Sequence, residues 1–249
     1  IVLSDGEGWS SGGFMADCKV EKMVSSGSQQ QYLFRNNNWG YFENGVWNMV
    51  FAGVNVDTIP TGGWPYEPYT KEETVPKIQE KPYLVYDEDN GYGVMVPEKR
   101  TECQGISWEN GVKGTFYSLN MFYVADAQKD NADTINKALK EGKNLLLTPG
   151  IYTLDKPITV EEKDTLLKVG NEKAEVSHSD NPICFSDVYF RVGGANYKGK
   201  VKNCVTINSN DVIGDNFWVW RADHGDNVGW DMNTAPNGIV INGDNVTMY

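Results

Sequence analysis

The residues most able to do chemistry in this chain cluster between Phe217 and Asp231, in the stretch FWVWRADHGDNVGWD. It holds Trp218, Trp220 and Trp230, Arg221, the carboxylates Asp223, Asp226 and Asp231, and His224, one of only 2 histidines in 249 residues. Hydrolysis of a glycosidic bond needs one carboxyl to protonate the leaving oxygen and another to attack or to activate water. The two stand about 5–5.5 Å apart in a retaining site and about 6.5–9.5 Å apart in an inverting one. Tryptophan faces complement sugar rings, whose axial C–H surfaces are apolar while their rims hydrogen-bond to Asp, Arg and His. If FWVWRAD is a strand, Trp218 and Trp220 share one face with residue 222, and Arg221 and Asp223 share the other. His224, Asp226 and Asp231 then occupy the loop leaving that strand, where binding and catalytic groups concentrate on rigid scaffolds. Asp223, His224 and Asp226 are therefore the catalytic candidates, and Trp218, Trp220, Arg221, Trp230 and Asp231 the sugar-contacting ones. The competing reading makes the tryptophans packing residues and Asp223 a mere ion-pair partner of Arg221.

Other chemistries find no foothold. His178, in VSHSDNP, reads as a turn residue, and two distant histidines without His-Glu-x-x-His or EF-hand spacing predict no metal centre. Calcium on the loop aspartates has no support beyond the carboxylates themselves. There is no phosphate loop, nucleotide fingerprint or Gly-x-Ser-x-Gly elbow, so no cofactor is expected. Asn245-Val-Thr247 is an acceptor motif by spelling only. The net charge of −12 argues against nucleic acid and anionic membranes, which would repel the chain at long range. No apolar run is long enough to cross a bilayer, and IVLSDGEGW lacks the basic and apolar regions of a signal peptide, so the chain reads as processed or cut from a longer one. Cys18, Cys103, Cys184 and Cys204 are widely spaced and read as buried thiols. Cys184 and Cys204 would pair only if they stacked on adjacent turns of a repeat.

The elements that must position the cluster are short apolar segments punctuated by Gly, Asn, Asp and Ser. Two of them match: VTINSNDVI (205–213) and IVINGDNVT (239–247), with Ile207 and Ile241 one long period apart. Short strands recurring after a long excursion with an Asn-bearing turn suit a parallel β-helix, in which each coil stacks on the next. Asparagine tolerates left-handed backbone and can hydrogen-bond along the stack. A β-sandwich is the alternative, but its strands recur at short spacing through hairpins. One helix is predicted over 131–142, capped by Asp133, with Ile135 and Leu139 on one face and Gly142 as the stop. After it LLLTPGIYTL reads as a buried strand, a Pro-Gly turn and another strand. The region 54–121 is too aromatic for a disordered linker and reads as an irregular, ordered connector between coils at 1–53 and a second set at 122–249. Within it KPYLVYDEDNGYGVMVP predicts a hairpin turning at Asp89-Asn90-Gly91.

The string FYVADAQKDNADTINKALKEGKNLLLTPGIYTLDKPI resembles the opening of a pectin-lyase-like right-handed β-helix, where a short helix caps the apolar end and a Pro-Gly-x-Tyr turn leads into the first coil. GGFMAD followed by SGSQQQYLFRNNNW is similar to coils of the exo-β-1,3-glucanases of glycoside hydrolase family fifty-five, which are built from two successive β-helices. The chain also resembles lacto-N-biosidase-type β-helix hydrolases. The resemblance implies an all-β right-handed parallel β-helix with a short capping helix. It also implies that Gln29 and Gln30 lie near the cleft and position water or sugar, against the plainer reading of glutamines stacked as a polar ladder with Arg35 and Asn36 to Asn38 in the same turn. Two departures stand out. Around Thr165 and Leu166 the chain is shorter than the pattern, as if coil material were missing, and at Tyr249 it stops in what should be mid-helix, leaving strand edges for a further chain or domain to cover.

The expectation is an extracellular, bacterial-type glycoside hydrolase, or part of one, that cleaves a neutral oligosaccharide or β-glucan through a carboxylate pair and needs no cofactor. The rivals are a non-catalytic carbohydrate-binding β-helix and a polysaccharide lyase. The lyase would want a basic cleft and often calcium, neither of which an acidic chain suggests. A structural adhesin would leave the clustered tryptophans unexplained.

Overall fold

A computed structural model of the chain describes residues 1–4, 7–8, 10–44, 48–59, 69–159, 180–223, 225–229 and 231–249. They fall into two compact units, Ile1–Glu80 with Pro97–Thr115, and Lys81–Val96 with Phe116–Tyr249.

In the first unit β1 (Ser11–Ala16), β3 (Gln30–Arg35), β5 (Met49–Ala52) and β6 (Tyr69–Glu72) form one sheet in that order, each pair parallel. The alternate segments β2 (Lys19–Ser25) and β4 (Asn38–Glu43) form a second parallel pair. The corner after each of the first three strands of the main sheet repeats the same backbone solution. Asp17, Asn36 and Gly53 adopt φ of 53°, 52° and 64°, a left-handed conformation that Asp, Asn and Gly tolerate best. Their N–H groups donate to the next strand over, Asp17 to Arg35, Asn36 to Ala52 and Gly53 to Glu72, at 3.0, 2.8 and 2.9 Å. Asn37 Oδ1 accepts from the Cys18 N–H across a 19-residue offset.

Between the sheets the core is a column of rings. Phe34 stacks on Phe51 at 5.0 Å and 7°, and Phe42 and Trp39 meet it edge-on at 5.2 and 5.5 Å. Val24, Phe34, Met49 and Phe51 are fully buried. The opposite side of β3 carries Arg35, covered by an antiparallel ribbon of β7 (Val75–Gln79) and, later in the chain, Lys99–Cys103. Arg35 is 1% exposed and donates to Glu80 Oε1 at 2.8 Å. Asn36 Nδ2 reaches the same oxygen at 3.3 Å, and Arg100 Nη1 lies 3.6 Å from it. Such a cluster gains little over an apolar packing but is costly to break, because one charge is then left buried and alone. Asp17 accepts from the Ser107 N–H and hydroxyl at 2.6 and 2.7 Å. Burial and the nearby Glu80 charge still push its carboxyl above the usual range.

The second unit opens with the hairpin read from sequence. β8 (Tyr83–Asp87) and β9 (Gly91–Pro97) pair antiparallel with Asp87 opposite Gly91, and the Asp87 carboxylate accepts from the N–H groups of Asp89 and Asn90 at 3.1 and 2.8 Å. With β10 (Lys99–Cys103) placed in the ribbon above, β11 (Gly114–Ser118) completes the hairpin's sheet. The stretch expected to be irregular between 54 and 121 is thus strand-bearing over much of 69–118, because its tyrosines and valines alternate even though prolines interrupt them.

β12 (Phe122–Ala125) and β13 (Asn144–Leu147) pair in parallel across helix α1 (Ala132–Lys140). Ile135 and Leu139 pack with Ala125 and Leu145. The cap is Asn131 rather than Asp133. Asn131 is extended, its side chain accepts from the Asp133 and Thr134 N–H groups, and Thr134 returns the bond to the Asn131 N–H in a capping box. Asp133 falls in the first turn. The helix closes at Lys140, with Gly142 at φ 79°. Ile151 to Leu154, expected as a strand after the Pro-Gly turn, form none: Ile151 is 77% exposed, and the segment is held by the Tyr152 hydroxyl, which donates to the Ala125 carbonyl at 2.7 Å.

From there strands recur in threes. β14 (Ile183–Ser186), β17 (Val212–Asp215) and β20 (Thr247–Met248) form one parallel sheet, β15 (Tyr189–Val192) with β18 (Trp218–Arg221) a second, and β16 (Asn203–Ile207) with β19 (Asn237–Ile241) a third. Ile207 faces Ile241, as the repeat predicts. Parallel pairing throughout these strands rules out a hairpin-built sandwich here. Side-chain ladders follow at a 34-residue offset: Asn237 to Asn203, Asn242 to Asn208 and Asn245 to Asp211. Ile183, Phe185, Val205, Ile207 and Val212 fill the interior. All four cysteines are free; Cys184 and Cys204 lie on β14 and β16, in different sheets, which is why they do not pair. Among the described residues no helix is long and apolar enough to cross a membrane.

Candidate functional site

β15 and β18 set Tyr189 opposite Trp218 and Arg191 opposite Trp220. Alternation turns Phe190 and Val219 into the core cluster and so brings Tyr189, Arg191, Trp218 and Trp220 together on the outer face. Tyr189 is 54% and Trp218 52% exposed. Trp220 is half-buried, its ring 6.2 Å from that of Tyr189 and only 14° from parallel. The result is an open aromatic shelf with the exposed Arg191 beside it, apolar rings next to a guanidinium that can donate to a hydroxyl rim. Burial pushes the Tyr189 phenol up, with Arg191 pulling the other way, so the phenol remains a protonated donor at neutral pH.

Past Arg221 the backbone turns inward. Ala222 is fully buried, and its N–H donates to the Val192 carbonyl at 3.1 Å. Residue 222 therefore does not continue the tryptophan face as simple alternation predicts, because the strand ends one residue earlier. Arg221, half-buried, sits opposite Val192, and Asp223 stands half-buried at the root of the loop. Asp226 and Asp231 are exposed further along it. The Asp226 carbonyl accepts from the Asn196 N–H at 3.2 Å, and Asn227 Nδ2 donates to Asn196 Oδ1 at 2.5 Å, which lays this loop on its counterpart after β15. His224, Trp230 and His178 lie outside the described residues.

Gln29 and Gln30 belong to the first unit. Gln29 is 5% exposed, and its amide donates to the carbonyls of Gly12 at 2.8 Å and Gln30 at 3.2 Å, the geometry of a glutamine laid on the neighbouring strand. Gln30 is half-buried opposite Ser11, and Gln31 accepts from the Ser11 hydroxyl at 2.6 Å. Among the described residues no group of three or more His, Cys, Asp or Glu is gathered as a metal ion would require.

Tyr189 and Arg191 were not singled out by sequence. The signal that could have found them is the 29-residue offset that also joins Asn216 to Asp187: it lays YFRV on WVWR, with aromatic and basic residues on the same alternating positions.

The LAM55 pectate lyase-like domain matches residues 122–170 and 159–249. The chain belongs to that family. Its two matched stretches overlap at 159–170. An exo-β-1,3-glucanase of Streptomyces sp. (strain SirexAA-E / ActE) is 39% identical over 289 residues, which cover 98% of this chain and 47% of that protein. Two structures of sacteLam55A from Streptomyces sp. SirexAA-E, one of them a variant in complex with glucose, match with a TM-score of 0.81 and 38% identity. They cover 97% of this chain and 51% of theirs. This LAM55-family chain therefore spans about half the length of the relatives it matches.

Proposed function

We propose that the chain is an extracellular glycoside hydrolase, or a portion of one, that acts on β-1,3-glucan from a right-handed parallel β-helix. The observation that carries the reading is the aromatic shelf of exposed Tyr189 and Trp218 with half-buried Trp220 beside Arg191, within a chain 38–39% identical to a glucanase along nearly its whole length. The parallel strands recurring in threes, the ladders between successive turns and the structural likeness support the helix. A polymer too large to enter a cell supports action outside it.

In this reading the shelf holds a glucose unit by its C–H face while Arg191 and the loop carboxylates bind the hydroxyl rim. Asp223, at the root of the loop, serves as acid or base. Arg221 and His224 tune it, and Asp226 or Asp231 supplies the second carboxylate, with Trp230 a further ring for the sugar. Gln29 and Gln30 contribute polar contacts. Water is the only co-reactant, so no cofactor or metal is needed, and two titrating groups give a bell-shaped pH dependence. A further domain or chain completes the strand stack, in keeping with the length of the relatives.

The half-length match also favours a second reading, a glucan-binding portion whose catalytic groups lie elsewhere in the full protein. Asp223→Asn separates the two. Turnover of laminari-oligosaccharides should disappear while retention on laminarin in affinity electrophoresis persists, and Trp218→Ala should weaken retention. Unchanged turnover in Asp223→Asn would remove Asp223 from the mechanism.

A further inference from the structure

Asn233 is completely buried between two stacked loops, the one leaving β15 and the one leaving β18. Its Oδ1 accepts from the Gly199 N–H at 2.7 Å, and its Nδ2 donates to the carbonyl of Ala222 in a short contact. The first bond reaches across to the neighbouring loop and the second reaches back 11 residues to the start of its own. Space for the amide is made by Gly193. That residue sits at φ 73°, and a Cβ there would stand 2.0 Å from Asn233 Oδ1. The Thr234 N–H donates to the Gly199 carbonyl at 3.1 Å, and the Val201 N–H to the Thr234 carbonyl at 3.0 Å, which locks the amide's own backbone to the same loop.

The Ala222 carbonyl belongs to the peptide unit that joins Ala222 to Asp223. The preceding peptide unit is held by the Ala222 N–H, which donates to the Val192 carbonyl. The two bonds together hold the backbone on both sides of the Ala222 Cα, immediately before Asp223. We infer that Asn233 is a positioning residue for Asp223: its amide clamps the Ala222–Asp223 peptide against the neighbouring loop and so sets where the carboxyl points. The inference rests on the role proposed for Asp223. An amide is required because the site asks for one donor and one acceptor at a fixed separation, and a neutral carboxyl is the one close isostere that can supply both.

The test is Asn233→Asp, assayed on laminaritriose across pH. Ionised, the new side chain keeps the acceptor for Gly199 but loses the donor for Ala222; protonated, it regains it. At neutral pH kcat should fall about ten- to hundredfold, the scale of a displacement of about 1 Å at a reacting group. KM and laminarin retention should stay within about twofold. The ratio of variant to wild-type kcat should climb back as pH falls, a recovery that a purely structural role would not produce. Asn227→Ala, which cuts the exposed Asn227–Asn196 bond between the same two loops, should leave kcat unchanged. A folded Asn233→Asp with wild-type kcat at neutral pH, a pH-independent ratio, or an equal loss in Asn227→Ala would overturn the assignment. If Asn233→Asp does not fold, Asn233→Ser, whose hydroxyl cannot span both partners, takes its place with the same expected loss of kcat. Wild-type protein without turnover would sink the proposed function as well, whereas active wild type with an indifferent variant sinks this inference alone.

Discussion

The two units stack parallel strands by different means. The first concentrates its cohesion in a ring column around Phe34 and in the buried Arg35–Glu80 pair, and its corners repeat at short offsets. The second spreads it over a mixed aliphatic and aromatic interior and rows of Asn and Asp side chains that join successive turns at offsets of 29 to 34 residues. Longer offsets leave room for loops, and those loops carry Asp223, Asp226 and Asp231. A short-offset stack is rigid but has little chain to lend to a site; a long-offset stack supplies the loop and must then pin it, as Asn233 does.

The sharpest way to break this contrast is to remove single residues from each unit. Glu80→Ala removes the carboxylate that faces the buried Arg35 guanidinium and should cost about 3–5 kcal/mol in urea unfolding. Phe34→Ala should cost a similar amount, about 3–5 kcal/mol, through lost burial and the cavity it leaves. Asn242→Ala in a surface ladder should cost no more than about 1 kcal/mol, the net worth of one ordinary hydrogen bond. Equal losses would mean that the two units are not held differently. Between these lies Asn131→Ala, which strips the capping box from α1 and should cost about 1 kcal/mol, seen as faster amide exchange confined to the helix.

The smallest effect is one of sign. Burial and the Glu80 charge raise the Asp17 carboxyl, so the folded form holds that proton more tightly than the unfolded chain. Its contribution is present below the ordinary carboxylate pKa and is lost as pH rises toward the raised value. Asp130 is lowered by the Asp126 N–H and then by the Tyr123 hydroxyl, and Asp126 by Lys129 and the Gln128 N–H. Their contribution is present above the ordinary value and lost as pH falls through the lowered one. Carbon-detected titration should therefore place Asp17 above Asp126 and Asp130, and acidification should loosen the start of α1 while leaving Asp17's own contribution intact. The reverse order would contradict the environments described.

Much of this was legible because it is local. The hairpin at 83–97, the helix face of Ile135 and Leu139, and the Ile207–Ile241 register follow from alternation, helical spacing and a repeated word. The tryptophans of the outer face were legible for the same reason. What was not legible depends on which turn lies on which. Tyr189 and Arg191 join Trp218 and Trp220 only once the 29-residue offset is known, and no similarity of residue type forces it. Arg35 and Glu80 stand 45 positions apart, and nothing in either local context marks a buried charge. The cap moved from Asp133 to Asn131 because both residue types cap well and Thr134, three residues on, closes a capping box with Asn131. Asn233 reads as one more loop asparagine until its two partners are seen.

The measurement that bears most directly on the account is mass-spectrometric product analysis after incubation with β-1,3-glucan oligomers, with lacto-N-tetraose and polygalacturonate alongside. The account predicts saturated glucose products from the β-1,3-glucan oligomers alone, abolished in Asp223→Asn. Unsaturated products would make the protein a lyase, products from lacto-N-tetraose alone would name a different sugar, and glucan retention without any product would contradict hydrolysis by this chain.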